Sequence, residues 1–103
     1  MKDYFIDFFD NYIKLLPSRW KHITKQHPEV KPYKNKIQEV LRNPELVKRS
    51  KRDKDTFLYY RYYSNIYNGK YLLVVARTKN EPMVLTCYMT DKIKKGDLIW
   101  KKN

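Results

Sequence analysis

The chain has 103 residues, the length of one domain, and its 42% hydrophobic and 16% aromatic content excludes a chain too polar to fold. A formal charge of +12 directs it towards a polyanion: a phosphate backbone, an acidic protein or an anionic membrane surface, with RNA favoured because tyrosine-rich segments lie between the basic runs. The single cysteine, Cys87, excludes an intramolecular disulfide and a cysteine-built metal site and suits a reducing cytoplasm, and the longest uncharged apolar run, Tyr71–Ala76, is far too short to span a bilayer.

In chain order, residues 3–16 place Tyr4, Phe5, Phe8, Phe9, Tyr12, Ile13 and Leu16 at helical spacing, with Asp3, Asp7, Asn11 and Lys14 on the other side. The pattern predicts an amphipathic helix with acids near its N-terminus, although Tyr12–Leu16 also reads as a short strand; Pro17 closes the segment either way. Ser18 can cap a second helix that starts near Arg19, carries Trp20, Ile23 and Thr24 on its apolar face, and ends where Pro28 disfavours a helical His27. A third helix is expected over about 32–42, with Tyr33, Ile37, Val40 and Leu41 on one stripe and Asn43-Pro44 as its stop.

Beyond Pro44 the period changes to two. Leu46–Ser50 and Thr56–Ser64 read as strands, the second with Phe57, Tyr59, Arg61 and Tyr63 on one face and Leu58, Tyr60 and Tyr62 on the other. Asn68-Gly69 marks a turn, Tyr71–Arg77 a buried central strand, and Met83–Met89 a returning strand after the Asn80–Pro82 turn. A short terminal strand should follow Gly96, with Trp100 on the core edge. The expectation is an α+β domain over 1–103: two or three N-terminal helices, then a curved antiparallel sheet of about four strands.

The charge is uneven. Residues 1–10 set one lysine against three aspartates, a net of −2, which leaves +14 for the remainder. The densest run is Lys48, Arg49, Lys51, Arg52 and Lys54, and Lys92, Lys94 and Lys95 form a second. Such runs are solvated faces in most proteins; beside tyrosine strands they also suit a nucleic-acid surface.

Few residues invite chemistry. His22 and His27 are five apart with no carboxylate cluster beside them, so no metal site is expected, and Gly-rich phosphate loops and nucleophile motifs are absent. At 100° per residue His27 falls near the Trp20/Ile23 face and His22 nearly opposite; Glu29 could orient the His27 ring, as a catalytic or a purely structural contact. Along Met83–Thr90, Val84, Thr86, Tyr88 and Thr90 project to one side and Leu85, Cys87 and Met89 to the other. The hydroxyl row suits a phosphate site, or is a solvent-facing sheet surface. Metal-free RNA cleavage needs a general base, a general acid and groups that stabilise a charged phosphorane, and histidine, arginine, lysine and tyrosine can supply all of them.

The stretch Arg19-Trp20-Lys21-His22-Ile23, then His27-Pro28-Glu29-Val30, Asn43-Pro44-Glu45, Ser50, Tyr71–Val75, Thr86–Thr90 and Ile93–Gly96 resembles the phage- and mobile-element-associated nucleases of the barnase–EndoU–colicin–RelE group. The resemblance covers about residues 12–100. It implies a metal-independent RNA endonuclease of the toxin or phage-defence type, acting in the cytoplasm without a cofactor on RNA such as tRNA or ribosome-bound mRNA. On this reading His22, His27, Arg61, Thr86 and Tyr88 are the catalytic candidates, and Lys48, Arg49, Ser50, Lys51, Arg52, Arg77, Thr90, Lys94 and Lys95 hold the RNA. An acidic antitoxin or immunity protein is the implied protein partner. The alternatives are a non-catalytic RNA- or DNA-binding module and a toxin-like interaction protein bound by an acidic antitoxin partner.

Overall fold

A computed structural model describes residues 3–103. Seven strands make one sheet in the order β1-β2-β6-β5-β4-β3-β7: β1 Asp3–Ile6, β2 Tyr12–Leu15, β3 Leu46–Arg49, β4 Thr56–Tyr63, β5 Lys70–Arg77, β6 Met83–Thr90 and β7 Asp97–Lys101. Neighbours run antiparallel except β2 and β6, which are parallel and meet where Lys14 lies opposite Met83. Helix α1 (Pro17–Gln26), a 3₁₀ segment (Pro28–Lys36) and helix α2 (Ile37–Arg42) fill the connection from β2 to β3. No helix among the described residues is long and apolar enough to cross a membrane.

This overturns the expected fold of two or three N-terminal helices ahead of a four-stranded antiparallel sheet, and with it the layout implied by the resemblance. The largest error is the helix expected over residues 3–16, which form the β1–β2 hairpin; the strand alternative for Tyr12–Leu16 is what the structure has, as β2 Tyr12–Leu15. Their apolar residues satisfy a helical period and also a strand period, and the strand reading wins because the turn buries Asp7 completely. Asp7 Oδ1 accepts from the Phe9 and Asn11 amides at 3.0 and 2.7 Å, Oδ2 accepts from the Tyr59 hydroxyl, and Asp10 takes φ 65°. An aspartate that binds backbone amides two and four residues ahead stabilises a turn against a helix. A helix over 3–16 would have set Asp7 on its polar side.

Pro17 therefore opens a helix as well as closing a strand. It stands at the first helical position, where its missing N–H costs nothing, and the cap residue is Leu16; the expected Ser18 cap makes no side-chain bond. The expected third helix is split. Pro32 lies inside the 3₁₀ segment, Tyr33 leaves helical geometry at φ −116° and ψ 19°, and α-helix resumes only at Ile37. The strands from β3 onward lie within one or two residues of their expected bounds, and β5 is central, as its two-sided apolar pattern indicates.

The two faces of the sheet differ in cover. One carries Val47, Tyr59, Leu72, Val74, Ala76 and Cys87, packed against Ile23, Val30, Ile37, Val40 and Leu41 of the helical layer. The other carries Leu58, Tyr60 and Leu73, with Leu46, Tyr71, Val75, Tyr88 and Ile93 beside them. Among the described residues, only the strap 91–96, between β6 and β7, crosses this second face. Tyr60 Oη accepts the Lys94 amide at 2.9 Å, and Lys48 Nζ donates to the Lys94 carbonyl at 3.1 Å. Gly96 brings the strap's end against β3 so closely that a Cβ there would stand 2.6 Å from the Arg49 carbonyl oxygen.

Candidate nucleic-acid interface

The open face holds a cleft of about 450 Å³ beside the strap. Its floor is Leu58 of β4, Val75 of β5, and Thr86 and Tyr88 of β6. Alternation places them together, since Leu58 pairs with Val75 and Val75 with Thr86 in the ladders. One wall is the β3–β4 turn, with Ser50, Lys51 and Arg52; the other is the strap, with Lys94 and Lys95. Two basic runs more than forty positions apart thus face each other across an apolar floor.

The turn is built to hold its shape. Asp53 accepts from the Asp55 amide at 2.9 Å and the Thr56 hydroxyl at 2.9 Å, and these bonds, the amide first, hold its carboxyl below the usual range. Ser50 Oγ accepts the Arg52 amide at 3.1 Å. Lys51 donates to Asp97 at 3.2 Å, a bond that depresses the Asp97 carboxyl. Among the described residues, Arg52, Lys94 and Lys95 have no carboxylate within ion-pair distance. The cleft keeps an excess of positive charge for an anion. The Thr86 hydroxyl likewise makes no hydrogen bond among the described residues, so a donor and acceptor faces the cleft from its floor.

At the β6 end, His27 stacks on Tyr88 with ring centroids 4.8 Å apart and planes 23° from parallel, while Lys94 Nζ sits 5.5 Å from the Tyr88 ring centre. His27 reaches this position because α1 ends there. Glu29, two residues on, lies 3.9 Å from His27 Nδ1 and accepts the Met89 amide of β6 at 3.4 Å. β2 pairs with β6 only near Met83, so Glu29 satisfies an edge amide that no strand reaches.

The remaining candidates are dispersed. His22 is exposed in a shallow depression with Ser18 and Arg19 and shares no lining residue with the cleft. Arg61 faces the helical layer, donating to the Asn43 carbonyl at 2.7 Å with its Nε 3.7 Å from Glu39. Arg49 also points to that side, pairs with Asp97 at 3.6 Å and lines a separate depression with Lys54 and Lys79. Arg77 ends β5 opposite Thr56, its Nη2 3.3 Å from Met83 Sδ. Thr90 turns its hydroxyl to the Lys92 backbone, and Lys48 is spent on the strap. The Val84–Thr90 row is also broken: Leu85 bulges out of the β5 ladder, so Val84 joins the buried core with Cys87 while Thr86 and Tyr88 face the cleft.

Sequence reasoning missed the floor residues Leu58 and Val75, the lining residue Thr56 and the strap anchor Tyr60. The period-two pattern that placed Leu58 and Tyr60 on one face of β4 was the signal for them. No protein-family model matches the chain, and no curated protein and no solved structure matches it.

Proposed function

We propose that this protein binds single-stranded RNA through the cleft between the β3–β4 turn and the strap. The observation that carries this reading is the convergence of Arg52, Lys94 and Lys95, none with a carboxylate in ion-pair distance among the described residues, over a floor of Leu58, Val75, Thr86 and Tyr88. The cations meet the phosphates, the apolar floor and the tyrosine take an unpaired base, and the Thr86 hydroxyl is placed for a ribose 2′-OH. A duplex keeps its bases stacked and offers nothing to a floor of this kind. Fluorescence anisotropy with a labelled single strand, competed by a duplex of the same sequence, checks it. The unlabelled single strand should displace the probe at much lower concentration than the duplex; equal competition contradicts the reading.

A second reading, metal-independent RNA cleavage at the same cleft, is favoured by the His27–Tyr88 stack. Imidazole is the side chain best suited to proton transfer near neutral pH, and Lys94 and Tyr88 beside it can stabilise phosphorane charge. His22, the other histidine candidate, lies elsewhere, so this reading gives His27 the proton-transfer role alone. Discrete cleavage of RNA in EDTA that disappears in His27→Ala, and persists in His22→Ala, supports it; intact RNA with the wild-type protein sinks it.

A further inference from the structure

The strap divides the open face, and a second, larger cavity of about 700 Å³ lies on its far side. Ile93, on the underside of the strap, lines it together with Leu46, Tyr71 and Leu98. Leu98 is 58% exposed, a large apolar side chain left uncovered on an edge strand. Lys101 and Lys102 rise beside it, and neither has a carboxylate within ion-pair distance among the described residues. The one acid in the lining, Glu45, accepts the Tyr62 amide at 3.0 Å. Tyr71 is braced edge-on by Tyr60 at 5.9 Å and by Tyr62 at 5.3 Å.

This is the cleft's chemistry repeated: an apolar floor with an aromatic ring, and a rim in which Arg52, Lys94 and Lys95 on one side and Lys101 and Lys102 on the other have no carboxylate partner among the described residues. Both cavities open on the same face, and Lys48, which ties the strap down through the Lys94 carbonyl, lines the second. We infer that one RNA strand crosses the strap and places further nucleotides in the Tyr71–Leu98–Lys101 cavity, so that the strap is a saddle between two subsites. Charge complementarity selects the occupant, because an apolar peptide would leave Lys101 and Lys102 without a partner. The inference rests on the RNA-binding reading above.

The test compares oligouridylates of about four and about twelve nucleotides, lengths within the range of single-strand sites. A four-mer spans one subsite at a time. A twelve-mer offers a four-nucleotide site about nine registers, so for the wild type it should bind at least about a hundredfold tighter than the four-mer, which leaves a gain on the scale of one added stacked base. The variant Leu98→Asp/Lys101→Glu/Lys102→Glu alters exposed positions only. It should lose that gain and keep the four-mer affinity. A variant that retains the full length dependence, or a wild type whose gain is no more than the roughly ninefold due to registers, overturns the second subsite and leaves the first cleft standing. Failure of the wild type to bind either oligomer overturns both.

Discussion

Cys87 and three tyrosines carry protons that the fold needs. Burial, with the Glu29 carboxylate adding to it, pushes the Cys87 thiol up to about 12. Burial also raises Tyr59, Tyr60 and Tyr63, and the carboxylates of Asp7 and Glu39 raise Tyr59 and Tyr63 further. A group whose folded pKa lies above its unfolded value contributes stability that is complete below the unfolded value and lost as pH rises through the folded one. For Cys87 that window opens at 9.0, its ordinary value here, and closes at about 12. The urea midpoint should therefore hold steady up to about pH 8 and fall above about pH 9. Cys87→Ala should delay the onset of the fall towards the tyrosine range, about pH 10. An unchanged midpoint through pH 11 in the wild type contradicts this account of the buried groups.

At the scale of elements, the β1–β2 hairpin is held by one carboxylate. Asp7 serves the turn amides and the Tyr59 hydroxyl at once, and the Arg42 guanidinium donates to its carbonyl at 2.9 Å and to Asp10 at 2.8 Å, fixing the turn to the end of α2. Phe8 packs on Trp100 at 4.4 Å and Phe9 on Phe57 at 5.6 Å, so the turn also covers the β7 side of the core. Asp7→Ala should cost about 1–3 kcal/mol for orphaning the Tyr59 hydroxyl alone, and each kcal/mol lowers Tm by about 4–8 °C in a domain of this size. Asp7→Ala/Tyr59→Phe should lose less than the two single changes added together, since no buried hydroxyl is then left unpaired. Calorimetry of the four proteins checks both statements; strict additivity contradicts the pairing.

That hairpin is also where the sequence misleads. Tyr4, Phe5, Phe8, Phe9, Tyr12 and Ile13 fit a helix as well as a strand, and what decides between them is Asp7, whose turn bonds to the Phe9 and Asn11 amides are local but whose burial is completed by Tyr59, fifty-two positions away. No local window contains that contact. The strands β4, β5 and β6 were legible because their alternation is long and their turn residues, such as Asn68-Gly69 with positive φ at both, are local. Their face assignments held for Thr86 and Tyr88 and failed at Val84, where a bulge at Leu85 shifts the register.

For the whole molecule, the two basic runs were visible in the sequence, but their partnership was not. Lys51 and Arg52 meet Lys94 and Lys95 only because the β3–β4 turn and the strap flank the same three strands. Arg49 and Arg61 illustrate the opposite case. Both are basic and near the cleft residues in sequence, yet each points to the helical side and is engaged by Asp97 or Glu39. Which cations are spent on the protein and which remain for a ligand follows from tertiary pairing, and composition does not report it. The same pairing makes one face of the sheet core and leaves the other covered by a strap of six residues.

On the proposed RNA-binding reading, Arg52 and Lys95, on opposite walls of the cleft, contact phosphates. Neither has a side-chain partner within the described residues, so Arg52→Gln/Lys95→Gln should leave the thermal midpoint unchanged. The measurement is the slope of log affinity for a single-stranded RNA against log salt concentration, for the wild type and this variant. Each phosphate contact on a single strand contributes about 0.7 to that slope, so the variant's should be shallower by about 1.4, with weaker binding at low salt. Parallel slopes for the two proteins would contradict the account.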